Sequence, residues 1–236
     1  MGDFVIRKIW GMNDLDICIR TIDRGEVNYI KQTFDSLWKD KRFSDYEIKV
    51  FDSGSKRLDF LLFLVSPKFN NVNLITPKKK LTALENYIEA LETEKDWVLV
   101  LGDDFMFCND FFQNLEKVRG NITEEMRIIA LFLTYEEGLK EKEFFKLPAQ
   151  KFWGGNILIR REDAKDLANY FRQKVEEGED RYMDILIKLW HIKRYPDKPI
   201  YMSAVGMCQH IGDNSMLGND EMRKGFVGKY FPDIKK

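Results

Sequence analysis

Apolar residues recur along the chain in two alternating periods. Leu15 to Ile19 (LDICI) predicts a short buried strand, and Thr21 to Gly25 (TIDRG) a loop after it. From about Glu26 to Lys39 the apolar positions Val27, Ile30, Phe34, Leu37 and Trp38 return at helical spacing. An acid stands at the start and a lysine near the end, as the helix dipole favours. Tyr46 to Phe51 predicts a second strand, cut off by Asp52-Ser53-Gly54. Strand–helix–strand makes parallel pairing the default. Further on, Val72 to Ile75 predicts a strand ended by Pro77, and Leu81, Leu84, Tyr87, Ile88 and Leu91 mark a helix. Trp97 to Leu101 (WVLVL) is apolar on both faces, which places it at the centre of the sheet. Arg127 to Thr134 predicts another strand, Phe144 to Gly155 an irregular aromatic stretch, and Asn156 to Ile159 a strand. Helices are expected over Glu162 to Val175 and around Asp184 to Trp190, and a strand over Ile200 to Val205. No repeat or Pro/Gly-rich linker divides the chain, so the expectation is one α/β domain with helices flanking a central, mostly parallel mixed sheet.

Composition narrows the function classes. The 236 residues, 44% of them hydrophobic, suffice for one well-packed core. A balance of 38 basic against 39 acidic side chains argues against a dedicated nucleic-acid binder, which would carry a basic excess. Cys18, Cys108 and Cys208 are odd in number and widely spaced, so a disulfide framework or cysteine zinc site is not expected and a reducing, cytoplasmic compartment is. Met1 to Trp10 lacks a signal-peptide apolar run, and the most apolar stretch, Phe60 to Val65, is far shorter than the roughly 20 residues of a membrane helix.

In an open α/β sheet, ligands bind beyond the carboxyl ends of the strands. Three such ends are polar here: Arg20 to Arg24, Asp52-Ser53-Gly54, and Gly102-Asp103-Asp104. Adjacent carboxylates at the end of a buried strand repel one another and cost desolvation unless paired or bound to a cation, which favours a ligand site over the alternative of a turn or helix cap leading into Phe105. On an extended strand the two would point to opposite sides, one suited to a hard divalent cation and the other to a sugar or ribose hydroxyl. Asp52 suits either an Asx turn or a nucleotide's ribose or base. Arg20 and Arg24 suit either solvent or phosphate. In Trp153-Gly154-Gly155-Asn156 the glycines permit close backbone approach to a ligand, or form a hairpin turn. Asp184 reads as a helix-surface acid or, in a pocket, a general base. His210 reads as packing or as a metal or phosphate contact, while His191 reads as structural.

The order strand, helix, strand-Asp, then a buried strand ending in Asp-Asp, resembles the GT-A fold glycosyltransferases, which use nucleotide-sugar donors. Leu101-Gly102-Asp103-Asp104 looks like their acidic DxD-type motif, with Gly102 in place of a frequent acid. Met183-Asp184-Ile185-Leu186, then Gln209-His210-Ile211-Gly212 and Ser215, is similar to the branching N-acetylglucosaminyltransferases, and the overall organisation is similar to the capsid glycosyltransferases of large algal viruses. The resemblance runs through short motifs from about Ile17 to Leu217. It implies a single GT-A (Rossmann-like) domain. Residues of about 15–120 would hold the nucleotide sugar, about 121–217 the acceptor, and 218–236 would form a tail. It further implies Mn2+ or Mg2+ on Asp104 and His210, and Thr21, Arg24, Asp52, Asp103, Gly155 and Ser215 around a nucleotide sugar, in particular a UDP-sugar. Asp184 would deprotonate the hydroxyl of a glycan or glycoprotein acceptor, with inversion, and the protein would be soluble, in a host cytoplasm if viral. A sugar-phosphate nucleotidyltransferase ranks second, because that class needs a glycine-rich loop after its first strand and TIDRG has one glycine. A binding module that keeps the fold without chemistry ranks after it.

Overall fold

A computed structural model of the chain describes residues 14–25, 27–131, 144–147, 149, 152, 155–179, 182–203 and 207–211. β1 (Leu15–Thr21), β2 (Ile48–Asp52), β3 (Val72–Ile75), β4 (Trp97–Gly102), β6 (Ile128–Ala130), β7 (Phe144–Leu147), β8 (Ile157–Arg160) and β9 (Ile200–Ser203) form one eight-stranded sheet, in the order β3-β2-β1-β4-β8-β6-β9-β7. β3, β2, β1 and β4 run parallel, as do β6 and β9. β8 runs antiparallel to both β4 and β6, and β7 antiparallel to β9. The expected mixed sheet is therefore present, and WVLVL lies inside it, buried along its length between β1 and β8. β5 (Phe105–Phe107) and β10 (Cys208–His210) form a separate antiparallel ribbon.

The helices are α1 (Tyr29–Leu37), α2 (Ala83–Leu91), α3 (Phe111–Gly120), α4 (Arg161–Glu176) and α5 (Met183–Arg194). α1 begins later than the expected Glu26, because the Asn28 side chain accepts a hydrogen bond from the Lys31 amide and caps the helix there. α2 begins at a reciprocal capping box between Thr82 and Glu85. The apolar run Phe60 to Val65 lies in a 3-10 helix, Asp59–Val65, and no described helix is long and apolar enough to cross a membrane. Within the stretch expected to be irregular, Phe144–Leu147 is an edge strand; the rest is described only at isolated positions.

The period-two alternation of the central strands sorts the interior into two cores, one on each sheet face. Ile17 and Ile19 of β1 and Leu99 and Leu101 of β4 pack with Phe34 of α1. Cys18 of β1 and Val98 and Val100 of β4 pack with Tyr87 of α2 and Phe171 of α4. By that alternation Thr21, at the end of β1, belongs with the first face and Arg20 with the second.

His191, on α5, is a core residue, as its sequence setting suggested. It is fully buried, and neither ring nitrogen has a hydrogen-bond partner among the described residues. Burial, aided by the charge of Lys198, pulls its pKa down to about 4. A histidine with a depressed folded pKa contributes stability that is fully present above the unfolded value of about 6.5 and is lost as pH falls toward the folded one. Unfolding free energy is therefore expected to drop by about 3 kcal/mol between pH 6.5 and 4 through this residue. Urea melts of wild type and His191→Phe across that range check it, because the variant should lose this part of the slope.

Candidate active site

The C-terminal ends of β1 and β4 lie side by side, with Arg20 in register with Gly102. β4 ends at Gly102, and the chain bends through Asp103 and Asp104 before β5. Because the chain is no longer extended there, strand alternation does not govern the pair. The expectation that the two carboxylates face opposite sides is corrected, since both reach one guanidinium. Arg24 Nη2 lies 2.6 Å from Asp103 Oδ1 and Nη1 lies 2.9 Å from Asp104 Oδ2. Thr21 Oγ1 donates to Asp103 Oδ2 at 2.7 Å. His210 Nε2 lies 3.2 Å from Asp104 Oδ2.

Each partner arrives through its own element. The Thr33 hydroxyl of α1 lies 2.6 and 2.8 Å from the carbonyls of Asp103 and Phe105, so the helix buttresses the bend. His210 comes from β10, whose pairing places it opposite Phe105, and the Ile211 amide donates to the Asp104 carbonyl at 2.9 Å. The buried Asn156, just ahead of β8, accepts from the Gly102 amide at 2.7 Å, and its Nδ2 lies 3.5 Å from Cys208 Sγ. The bend between β4 and β5 is thus braced from α1, β8 and β10.

The two carboxyls differ electrically. Burial pushes Asp103 up to about 6, against the pull of the Arg24 charge. Burial opposes the Asp104 charge as well, but there the hydrogen bond from His210 and the Arg24 charge prevail and hold the carboxyl well below the usual range.

A second group lies across the sheet from Arg24. Arg20 stacks on the Tyr87 ring, its Cζ 4.2 Å from the centroid, and its Nη1 points at Met183 Sδ, 3.1 Å away. The Tyr87 hydroxyl donates to the Gly155 carbonyl at 2.9 Å. A Cβ on Gly155 would lie 3.4 Å from Arg20 Nη2, so the glycine lets backbone come close to the guanidinium. Met183 opens α5, and Asp184 follows in its first turn. The start of α5 therefore stands at the same sheet edge as the acidic bend.

Asp52 is drawn elsewhere. Its Oδ2 accepts from the Gly54 and Ser55 amides at 3.0 and 2.9 Å, and its Oδ1 from the Ser55 hydroxyl, which is the Asx turn. Gly54 has φ +83°, and a Cβ there would lie 2.7 Å from Lys80 Cα, so the turn packs backbone against backbone. Beside it opens a cleft of about 280 Å³, lined by Phe51, Asp52, Ile75, Pro77, Lys79 and Asn86 among others.

Of the sequence-predicted residues, Thr21, Arg24, Asp103, Asp104 and His210 meet in one network. Gly155 lies against Arg20 and Tyr87, Asp184 adjoins Met183, and Asp52 occupies its own turn. Ser215, Gly212, Trp153 and Gly154 lie outside the described residues. Tyr87 was indistinguishable from a core residue on an apolar helix face. Thr33 and Asn156 act through backbone groups of distant segments, a role with no local signature.

The donor set suits a cation shared with a ligand. Asp104 Oδ2 and His210 Nε2, 3.2 Å apart, are spaced much like neighbouring vertices of an octahedral shell, about 3.0 Å for bonds of about 2.1 Å. No group of three or more His, Cys, Asp or Glu among the described residues could hold a metal. Mg2+ is usually held by one or two carboxylates, with substrate phosphate oxygens and water completing its shell.

No family model matches the chain, and no curated protein matches it. Solved structures do. A mannosyltransferase from Pyrobaculum calidifontis, in complex with GDP-Man and Mn2+, superposes with a TM-score of 0.57 at 12% identity, over 84% of this chain and 56% of that one. Residues 1-349 of S. aureus TarS superpose with a TM-score of 0.56 at 11% identity, over 83% and 59%. The same TarS fragment in complex with UDP-GlcNAc gives 0.55 at 12%, over 91% and 62%. The fold is that of the GT-A glycosyltransferases. The acidic bend after β4 lies beyond the carboxyl end of a central strand, where open α/β sheets in general bind ligands. This chain spans somewhat over half the length of these structures.

Proposed function

We propose that the protein is a glycosyltransferase that moves a sugar from a nucleoside diphosphate sugar, a UDP-sugar in particular, to a hydroxyl of a glycan or glycoprotein acceptor, with inversion. The observation that carries this reading is the network of Arg24, Asp103, Asp104 and His210 at the ligand edge of a GT-A sheet. Structures of that fold hold UDP-GlcNAc in one case and GDP-Man with Mn2+ in another.

In this reading the stretch of about 15–120 binds the donor. The cleft beside Asp52 takes the nucleoside, with Thr21 and Asp103 near its ribose or sugar. Asp104 and His210 would hold Mn2+ or Mg2+, which when bound neutralises charge on the departing diphosphate. Arg24 pairs with both carboxylates in the ligand-free chain and yields Asp104 to the incoming ligand. The stretch of about 121–217 binds the acceptor, and Gly155 and Ser215 add contacts to the nucleotide sugar. Asp184 takes the acceptor proton, and the oxygen so freed attacks the anomeric carbon from the side opposite the diphosphate. Three buried, unpaired cysteines suit a reducing cytoplasm.

The base assignment has a direct test. Asp184→Asn should lower kcat of UDP-sugar transfer by about 10²- to 10⁴-fold, the range for general-base removal, with UDP affinity little changed. Turnover equal to wild type would remove Asp184 from that role.

A further inference from the structure

We propose that Arg20 is a binding residue of this site, holding a phosphate of the bound nucleotide beside the acidic bend that Arg24 bridges. The proposal rests on the nucleotide-sugar reading above and adds a residue to it. A guanidinium offers five N–H donors and is charged at any working pH. Among the described residues Arg20 pairs with no carboxylate, and its partners are the face of the Tyr87 ring and a thioether sulfur, which is a weak acceptor. Its Nε is buried with no hydrogen-bond partner among the described residues. A half-buried charge so poorly satisfied is costly to the folded protein unless something else completes it.

The surroundings say what completes it. Arg20 is held in place rather than loose, because Tyr87 stacks on it and Tyr87 is itself pinned to the Gly155 carbonyl. Gly155 presents no side chain to the guanidinium, and a Cβ there would meet Nη2 at 3.4 Å. In register, Arg20 adjoins Gly102, the residue ahead of Asp103 and Asp104, and both carboxylates are near enough to act on its charge. In a bound nucleotide sugar the group with paired anionic oxygens is the diphosphate, which a guanidinium grips with two parallel N–H bonds. Arg24 differs in that both of its terminal nitrogens already hold the carboxylates of Asp103 and Asp104.

The test compares Arg20→Met and Arg20→Lys with wild type by isothermal titration in Mn2+, using UDP and uridine, with GDP and guanosine alongside. Thermal melts with and without diphosphate are run in parallel. Wild type should prefer the diphosphate over its nucleoside. Arg20→Met should lose about 10- to 100-fold in diphosphate affinity, the worth of charge-assisted hydrogen bonds, and nothing in nucleoside affinity. Arg20→Lys should recover part of the loss. The ligand-free melting temperature of Arg20→Met should equal or exceed that of wild type, since an unsatisfied charge gives way to an apolar chain; a lower one would mark a structural arginine and overturn the proposal. Unchanged diphosphate affinity in Arg20→Met, beside a wild type that binds, would overturn this proposal alone. A wild type that binds neither diphosphate would overturn the nucleotide-sugar reading and this proposal with it.

Discussion

Asp104→Ala is expected to lower kcat/KM for sugar transfer by about 10²- to 10³-fold, the order seen when a preorganised electrostatic contact to the reacting centre is removed. Asp104 is the carboxylate that touches both Arg24 and His210, and its surroundings hold it ionised. Truncation removes one of two protein ligands for a cation. It also leaves Arg24 with a single carboxylate partner and deprives His210 Nε2 of its Asp104 contact. Circular dichroism and melting temperature establish that the variant is folded. Product formation from UDP-sugars then decides, and activity within a few-fold of wild type would sink the assignment. Asp103 should behave differently, because its carboxylate is braced by Thr21 and by Arg24 and is pushed up to about 6 by burial.

Phe34→Ala should destabilise the fold by about 3–5 kcal/mol, the range for aromatic truncation in a packed core. Phe34 is fully buried on α1 and meets three other rings edge-on: Phe43 at 6.2 Å, Phe63 at 5.8 Å and Phe69 at 5.4 Å between centroids. All three lie in short 3-10 helices between α1 and β3, so the ring cluster ties those helices to α1. The cavity left by alanine would have rings on several sides and little means of collapsing. α1 also carries Thr33, which supports the acidic bend, so loss of packing should reach the site. Chemical denaturation of the variant measures the effect, and a loss below about 1 kcal/mol would show that the cluster does not bear on stability in this way.

How far the site was legible depended on how local each signal is. The apolar WVLVL run followed by two acids identifies a central strand ending in a candidate ligand site, because a buried strand of that kind has few other reasons to end in paired carboxylates. The direction of those carboxylates was misread, since strand alternation was extended past Gly102, where the chain bends. Asp52 stood equally for a turn and for a ligand contact, and only the positions of the Gly54 and Ser55 amides show its carboxylate spent on the turn. The β10 strand escaped notice because three residues carry no usable period, yet its pairing with β5 is what brings His210 to Asp104.

By itself the sequence determined the alternating α/β layout, the central position of β4 and the candidate acids, since hydrophobic period and strand-end composition are properties of neighbouring residues. Tertiary structure alone decided which distant groups meet. Arg24 bridges two carboxylates some eighty positions further along. Arg20 turns to the opposite face from Thr21 and ends up with a ring and a sulfur in place of an acid. Such meetings follow from the order and register of strands, set by the burial of whole faces at once, and no local pattern encodes them.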